Sequence, residues 1–139
     1  MFLAIKMLLD KDKIQKINFF ENLTNSKVKD FLDEEKMIII VEQGELGKAL
    51  GRKAKNIKMV EKMFRKRLKI VEFSEDPLTF VKNFIYPFNA EDVKLNNNII
   101  EITIQDRKTK GLLIGRNGRN LNELNRFVHE YYNLNVKII

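Results

Sequence analysis

Two short phrases carry the residues best suited to chemistry. Residues 111–124, "GLLIGRNGRNLNEL", run an apolar stretch into Gly115-Arg116-Asn117-Gly118, with Arg119 next. Residues 47–60, "GKALGRKAKNIKMV", do the same with Gly51-Arg52-Lys53-Ala54, and Lys55 follows. A Gly-x-x-Gly turn between two helices presents backbone N–H groups at a helix N-terminus, where the dipole favours an anion. Glycine lets a phosphodiester come close because no Cβ intervenes, and basic side chains at the middle positions add charge to the same spot. The aliphatic residues ahead of each turn, Leu113 and Ile114 or Ala49 and Leu50, would floor a groove beside the closing strand. Bases could rest there while the strand backbone meets their edges. The phrase lacks the Gly-Lys-Ser/Thr of a nucleotide P-loop, and it follows a short helix where a dinucleotide fingerprint follows a strand. Single-stranded nucleic acid is the expected ligand.

The charge distribution agrees. The 139-residue chain has a formal net charge of +7. Between Gly44 and Glu72 stand ten Lys or Arg (48, 52, 53, 55, 58, 62, 65, 66, 67 and 69) against Glu45, Glu61 and Glu72, so this window holds the whole excess. A local cationic excess is the footprint of a polyanion site, whereas a solvated helix face is the bland alternative. The chain has no cysteine, which excludes disulfides, thiolate zinc sites and thiol nucleophiles, and a single histidine, His129, in a helical pattern. No Ser/His/Asp set is present, and the acidic pairs Asp33-Glu34 and Glu75-Asp76 fall in turn-like segments. Binding without catalysis is therefore expected, with no cofactor and no metal. No apolar run is long enough for a membrane span, and the start "MFLAIKMLLDKDKI" lacks a basic leader and a small-residue cleavage site, so it is expected to be a first strand or a buried segment.

The elements that must position these turns occur twice. Apolar spacing predicts a helix over 11–20, strands over 28–32 and 37–42, a short helix over 46–50, a helix over 55–66 and a strand over "LKIVEF". The second half repeats the order. A helix opens at Pro77 and stops at Pro87, a hairpin turns at Asn96-Asn97-Asn98, a short helix runs through Leu112 to Ile114, a helix covers 120–132, and "NVKII" closes as a strand. An ungapped offset of 64 places Gly47, Gly51, Arg52 and Asn56 on Gly111, Gly115, Arg116 and Asn120, and Ile38 and Ile40 on Ile102 and Ile104. Two copies at this spacing indicate a duplicated α+β domain, here joined without a Gly/Ser-rich linker and so expected to be rigid.

These residues resemble a tandem of KH domains in the prokaryotic (type II) arrangement, and more closely the archaeal NusA family of transcription termination and antitermination factors. The stretch from "FFENLTNSKVKDF" to "NIKMVEKMF" resembles the first KH domain. "VEFSEDPLTFVKNFIYPFNAEDV" is similar to the family's inter-domain phrase, and "KGLLIGRNGRNLNELNRF" to the second KH signature. The resemblance implies two domains, 1–74 and 75–139, each a three-stranded sheet packed against helices. It also implies a monomeric, cytoplasmic RNA-binding factor acting with RNA polymerase on the nascent transcript, the RNA lying across both grooves. Carried over by position, contacts fall on Gly51, Arg52, Lys53, Ala54 and Lys55, and on Gly115, Arg116, Asn117, Gly118 and Arg119. Ile70, Val71, Val136 and Lys137 stand on the base-reading strands. At 139 residues the sequence is too short for the S1 and polymerase-binding N-terminal domains of bacterial NusA, as the resemblance to the archaeal form leads one to expect.

The chain departs from that pattern at Ala54, where the loop's last glycine is expected, at Thr24-Asn25 in place of Thr-Gly, and at Phe31 in place of Cys. Alanine at 54 costs little if its φ is negative and about 1 kcal/mol if positive. The second domain is accordingly expected to bind more tightly per contact, the first contributing mainly charge. Two other functions fit the same residues: an RNA chaperone or ribosome-assembly factor with the same folds, and a protein-interaction module that has lost RNA binding. Phe2, Phe19, Phe64, Phe73, Phe84, Phe88 and Phe127 sit mostly at core spacing and are expected to pack; Tyr131 and Tyr132 are open to either role.

Overall fold

The computed structural model describes residues 2–139, with side chains from residue 12 onward. It divides into two compact units, Met1–Phe73 and Ser74–Ile139. The first begins with a single helix, α1, over Phe2–Thr24. The expected first strand is therefore helical backbone, consistent with a segment built from Leu, Met, Lys and Ala, which favour helix over strand. The Phe2 side chain lies outside the described residues. Helix α1 ends where Thr24 Oγ1 donates to the Phe20 carbonyl (2.8 Å) and Asn25 turns left-handed (φ 56°), its N–H donating to Glu21 O (2.8 Å). Asparagine tolerates this conformation better than other non-glycine residues, so Asn25 can fill the place of the expected glycine.

Strands β1 (Val28–Asp33) and β2 (Met37–Val41) form an antiparallel pair; α2 (Leu46–Leu50) and α3 (Lys55–Phe64) then cross over to β3 (Leu68–Glu72), which lies parallel to β2. The second unit follows the same plan. Its elements are α4 (Pro77–Ile85), β4 (Asp92–Asn96), β5 (Ile99–Thr103), α5 (Arg107–Ile114), α6 (Arg119–Tyr132) and β6 (Asn135–Ile138), with β4 antiparallel and β6 parallel to β5. The sheet orders are β1-β2-β3 and β4-β5-β6, so β3 and β6 are edge strands. A parallel pair needs a crossover connection, and in both units the helix–turn–helix supplies it.

In the first unit Met37, Ile39 and Val41 pack with Phe20, Phe31, Ala49, Val60 and Leu68. Ile38 and Ile40, on the other face of β2, are fully buried as well. In the second unit only alternate positions of β5, Ile100 and Ile102, are buried, with Ile104 just beyond. This difference corrects the ungapped repeat. The Glu61 carboxylate accepts the Leu68 N–H (2.9 Å), and Asn125 Oδ1 accepts the Val136 N–H (2.6 Å). Leu68 pairs with Met37, and Val136 with Ile100. Met37 and Ile39 thus answer to Ile100 and Ile102, and Ile38 and Ile40 answer to Glu101 and Thr103. A one-residue slip in a strand exchanges its faces. Beyond the turn the offset changes again, because α6 has 14 residues and α3 has 10, a difference of about one helical turn.

Candidate nucleic-acid interface

In each unit one asparagine ties the helix after the turn to the helix before it. Asn56 Nδ2 donates to the carbonyls of Ala49 (3.1 Å) and Lys48 (3.4 Å), and Asn120 Nδ2 donates to Leu112 O (3.0 Å). The first glycine of each turn lies against that amide. A Cβ on Gly51 would come within 2.7 Å of Asn56 Nδ2, and one on Gly115 within 2.7 Å of Asn120 Cγ, and both glycines have positive φ (71° and 78°). The matched Asn56 and Asn120 of the sequence repeat are therefore scaffold residues of the turn.

The turn's own hydrogen bonds also repeat. Gly51 N–H donates to Gly47 O (3.1 Å) and Ala54 N–H to Gly51 O (3.1 Å); Gly115 N–H donates to Gly111 O (2.9 Å) and Gly118 N–H to Gly115 O (3.1 Å). The N–H groups of Arg52 and Lys53, and of Arg116 and Asn117, lie outside these bonds. The middle positions, not the flanking ones, thus keep their N–H donors out of the turn's own bonds. Residues 53 and 54 both adopt left-handed backbone (φ 56° and 55°), as do Asn117 and Gly118 (φ 59° and 73°). Ala54 therefore has the positive φ that strains it by about 1 kcal/mol, and Lys53 shares the condition. A Cβ on Gly118 meets only Asn122 Nδ2, at 3.9 Å, so this position resists alanine by conformation and not by contact.

Helices α3 and α6 start from Ala54 and Gly118 with no side-chain cap and no acidic residue in the first turn. Their first residues are Lys55 and Arg119, at the positive end of the helix dipole, where a cation is disfavoured. Helices α4 and α5 are the contrast. Asp76 and Asp106 cap them, each accepting the N–H and the hydroxyl of Thr79 or Thr109, the hydroxyl bonds at 2.6 Å. The threonine hydroxyls hold both carboxyls below the usual carboxylate range. Two helix starts are thus closed by a carboxylate, while the two at the glycine turns have no side-chain cap. Arg52, Lys53, Lys55 and Arg116 are exposed and form no ion pair among the described residues.

Beside the turns, Leu50, Leu113 and Ile114 are half-buried and can floor a groove, whereas Ala49 belongs to the core. On the edge strands, Val71 (1% exposed) and Val136 (7%) turn their side chains inward. The Val136 backbone is already engaged, because Asn125 also donates to its carbonyl (3.2 Å). Ile70 and Lys137 are accessible, Ile70 half-buried and Lys137 exposed. Strand alternation turns the backbone groups of Ile70 away from β2, and the register makes Ile138 its counterpart on β6. Ile138 was not among the expected contacts, because its place depends on the four residues by which α6 exceeds α3.

The aromatic residues with described contacts pack. Phe80, Phe84, Phe127, Tyr131 and Tyr132 form one cluster with ring centroids 5.6–6.2 Å apart, and the Tyr132 hydroxyl donates to Ser74 O. Burial, with the Asp76 charge, pushes the Tyr132 phenol up. Phe19 and Phe64 meet edge to face at 6.0 Å, and Phe73 lies under the Lys29 ammonium at 4.3 Å. His129 is exposed on α6. Among the described residues no acidic, His or Cys cluster is arranged to hold a metal, and no helix is long and apolar enough to cross a membrane.

A parallel edge strand, two crossover helices and a glycine turn between them, present twice, define a tandem of KH-like α+β domains. The solved structure of APE1850 shares this fold, with a TM-score of 0.69 at 24% identity over 92% of this chain and 98% of that one. No family model matches the chain. Curated relatives do. The "Probable transcription termination protein NusA" of Methanococcus vannielii is 31% identical over 121 residues, covering 84% of this chain and 70% of the relative. The protein of the same name from Methanocaldococcus jannaschii is 31% identical over 120 residues, covering 84% and 66%. That from Thermoplasma acidophilum is 22% identical over 134 residues, covering 94% and 93%. The chain belongs to the archaeal NusA family.

Proposed function

We propose that this chain is a single-stranded RNA-binding factor that acts in transcription termination or antitermination together with RNA polymerase. It works by binding, without catalysis, through two KH domains of the type II arrangement spanning 1–74 and 75–139. The observation that carries the RNA reading is the pair of uncapped helix starts, headed by Lys55 and Arg119, beside turns whose middle N–H groups lie outside the turns' own bonds. In each domain a phosphate sits over the middle residues of the turn, Arg52 and Lys53 or Arg116 and Asn117. Bases lie on Leu50 or on Leu113 and Ile114 and meet the strand edge at Ile70 or Ile138. The transcription role rests on the names of the relatives.

The test is binding of single-stranded RNAs of about 10 nucleotides, C/U-rich and A-rich, at two salt concentrations, with wild type beside Gly115→Asp. Salt-sensitive binding that the substitution weakens supports the site, whereas binding it leaves unchanged points to a diffuse basic surface. Recovery of RNA polymerase with the tagged chain supports the transcription role; recovery of ribosomal RNA precursors in its place contradicts it.

A further inference from the structure

The first unit contains a second cationic feature away from its turn. A cleft of about 690 Å³ opens where α3 ends and β3 begins, with Lys36, Arg65, Lys66, Arg67 and Lys69 around Glu61. Part of this charge is spent. Lys66 is bonded to the Asp33 carboxylate (2.6 Å) and to Glu34 O (2.9 Å), and the Glu61 carboxylate accepts the Leu68 N–H (2.9 Å). Arg65 and Arg67 are exposed and form no ion pair among the described residues. Arg65 is also held in left-handed backbone (φ 54°, ψ 39°) at the end of α3. Arginine is not favoured there, whereas asparagine is.

The second unit shows what the same architecture looks like without the feature. Its left-handed residue at the end of α6 is Asn133 (φ 56°, ψ 39°), the register that aligns Leu68 with Val136 sets Asn135 opposite Arg67 and Ile99 opposite Lys36, and Asn125 takes the hydrogen-bonding role of Glu61. The left-handed turn is the same, and of the cleft's cations only Lys69 keeps a basic counterpart, Lys137. Strained non-glycine residues that persist in a fold tend to mark functional positions.

We propose that this cleft is a second phosphate site of the first unit, in which Arg65 and Arg67 bind the backbone of single-stranded RNA beyond the part held at the Gly51 turn. The two sites are separated by the length of α3, ten residues or about 15 Å. A glycine turn of this kind clamps about four nucleotides, so the cleft engages only a longer strand. The proposal rests on the RNA-binding reading above.

The experiment titrates an RNA of about 12 nucleotides and one of about 4 into the full chain across a salt series. Wild type is compared with Arg65→Asn/Arg67→Asn, which installs the residue types of the second unit and relieves the strain at 65. Each phosphate contact on a single strand contributes about 0.7 to the slope of log affinity against log salt. Losing two lowers the slope by about 1.4 and weakens binding of the longer RNA roughly tenfold at 0.15 M salt. The expected result is that loss on the 12-nucleotide RNA, with the 4-nucleotide RNA unaffected and thermal stability retained. Lys94→Gln/Lys108→Gln, removing two exposed cations of the second unit, should leave the slope unchanged. An unchanged slope in Arg65→Asn/Arg67→Asn, or an equal loss in the lysine control, overturns the proposal. If Gly115→Asp still weakens binding in those cases, the RNA-binding reading stands without it. Wild type that binds neither RNA overturns both.

Discussion

The two glycine turns have nearly the same backbone and very different residues. Lys53-Ala54 and Asn117-Gly118 both run left-handed, yet only the second pair suits that conformation. What they share is the first glycine, the arginine after it, and the asparagine packed against the glycine, Gly51 with Asn56 and Gly115 with Asn120. The conformation is therefore enforced from its first residue and from the scaffold behind it. The final glycine eases the turn without defining it. The first unit accepts strain at 53 and 54 and gains a cation at the tip, and the same exchange recurs at Arg65 against Asn133.

Substitution of the first glycine should have the largest effect. Gly115→Asp forces a side chain into the Asn120 amide and sets a carboxylate among the phosphate donors; RNA affinity should fall by more than roughly tenfold, the scale of losing two or more phosphate contacts. Gly51→Asp should cost less, because the strained first turn is expected to bind less tightly per contact. Equal losses in a binding titration would remove that ranking. Next come the asparagines. Asn56 is 6% exposed, so Asn56→Ala strands buried carbonyls and should lower unfolding stability by about 2 kcal/mol, against about 1 kcal/mol for Asn120→Ala. Denaturant unfolding would check the order.

Ala54→Gly should raise stability by up to about 1 kcal/mol by removing left-handed strain, while Gly118→Ala should lower it by a similar amount. If the pair changes stability in the same direction, the reading of the last position fails. The smallest effect concerns Asp33, which joins Lys16 (2.5 Å) and Lys66 (2.6 Å) beside the cationic cleft. Burial pushes its carboxyl up, but hydrogen bonds from Lys16 and then Lys66 outweigh this and hold it below the usual carboxylate range. Its pairing thus stabilises the fold above the ordinary carboxyl pKa, about 3.9, and that stability is lost as pH falls through the lowered folded value. Asp33→Asn should lose under about 1 kcal/mol at pH 7 and show a flatter acid limb in thermal unfolding.

From residue 28 onward the order of elements, both turns and their charge were legible in the sequence because each rests on local signals, whereas the start, expected to be a strand or a buried segment, is part of α1. Proline opens α4, glycine and asparagine mark the turns, and apolar spacing marks the helices. The strand register was not legible. Isoleucines run continuously through β2 and alternate along β5, so matching identities slid Ile38 onto Ile102 and hid the change of face. The four extra residues of α6 were equally hidden, and they decide that Ile138, not Val136 or Lys137, is the counterpart of Ile70. Nor could residue type reveal the φ of Ala54, which depends on the bonds of the whole turn. The cleft at Arg65 and Arg67 is assembled from the end of α3, the start of β3 and Lys36, and a charge count cannot separate it from the turn.

The central claim is that both turns take RNA phosphate on the donors of their middle residues. The most direct measurement is an amide-resolved NMR titration of the full chain with a single-stranded RNA of about 12 nucleotides. The account predicts that the largest shifts fall on the amides of Arg52, Lys53, Arg116 and Asn117, with those of α4 and α5 at their capped starts unmoved. Shifts confined to scattered lysines, or centred on Asp76 and Asp106, would contradict it.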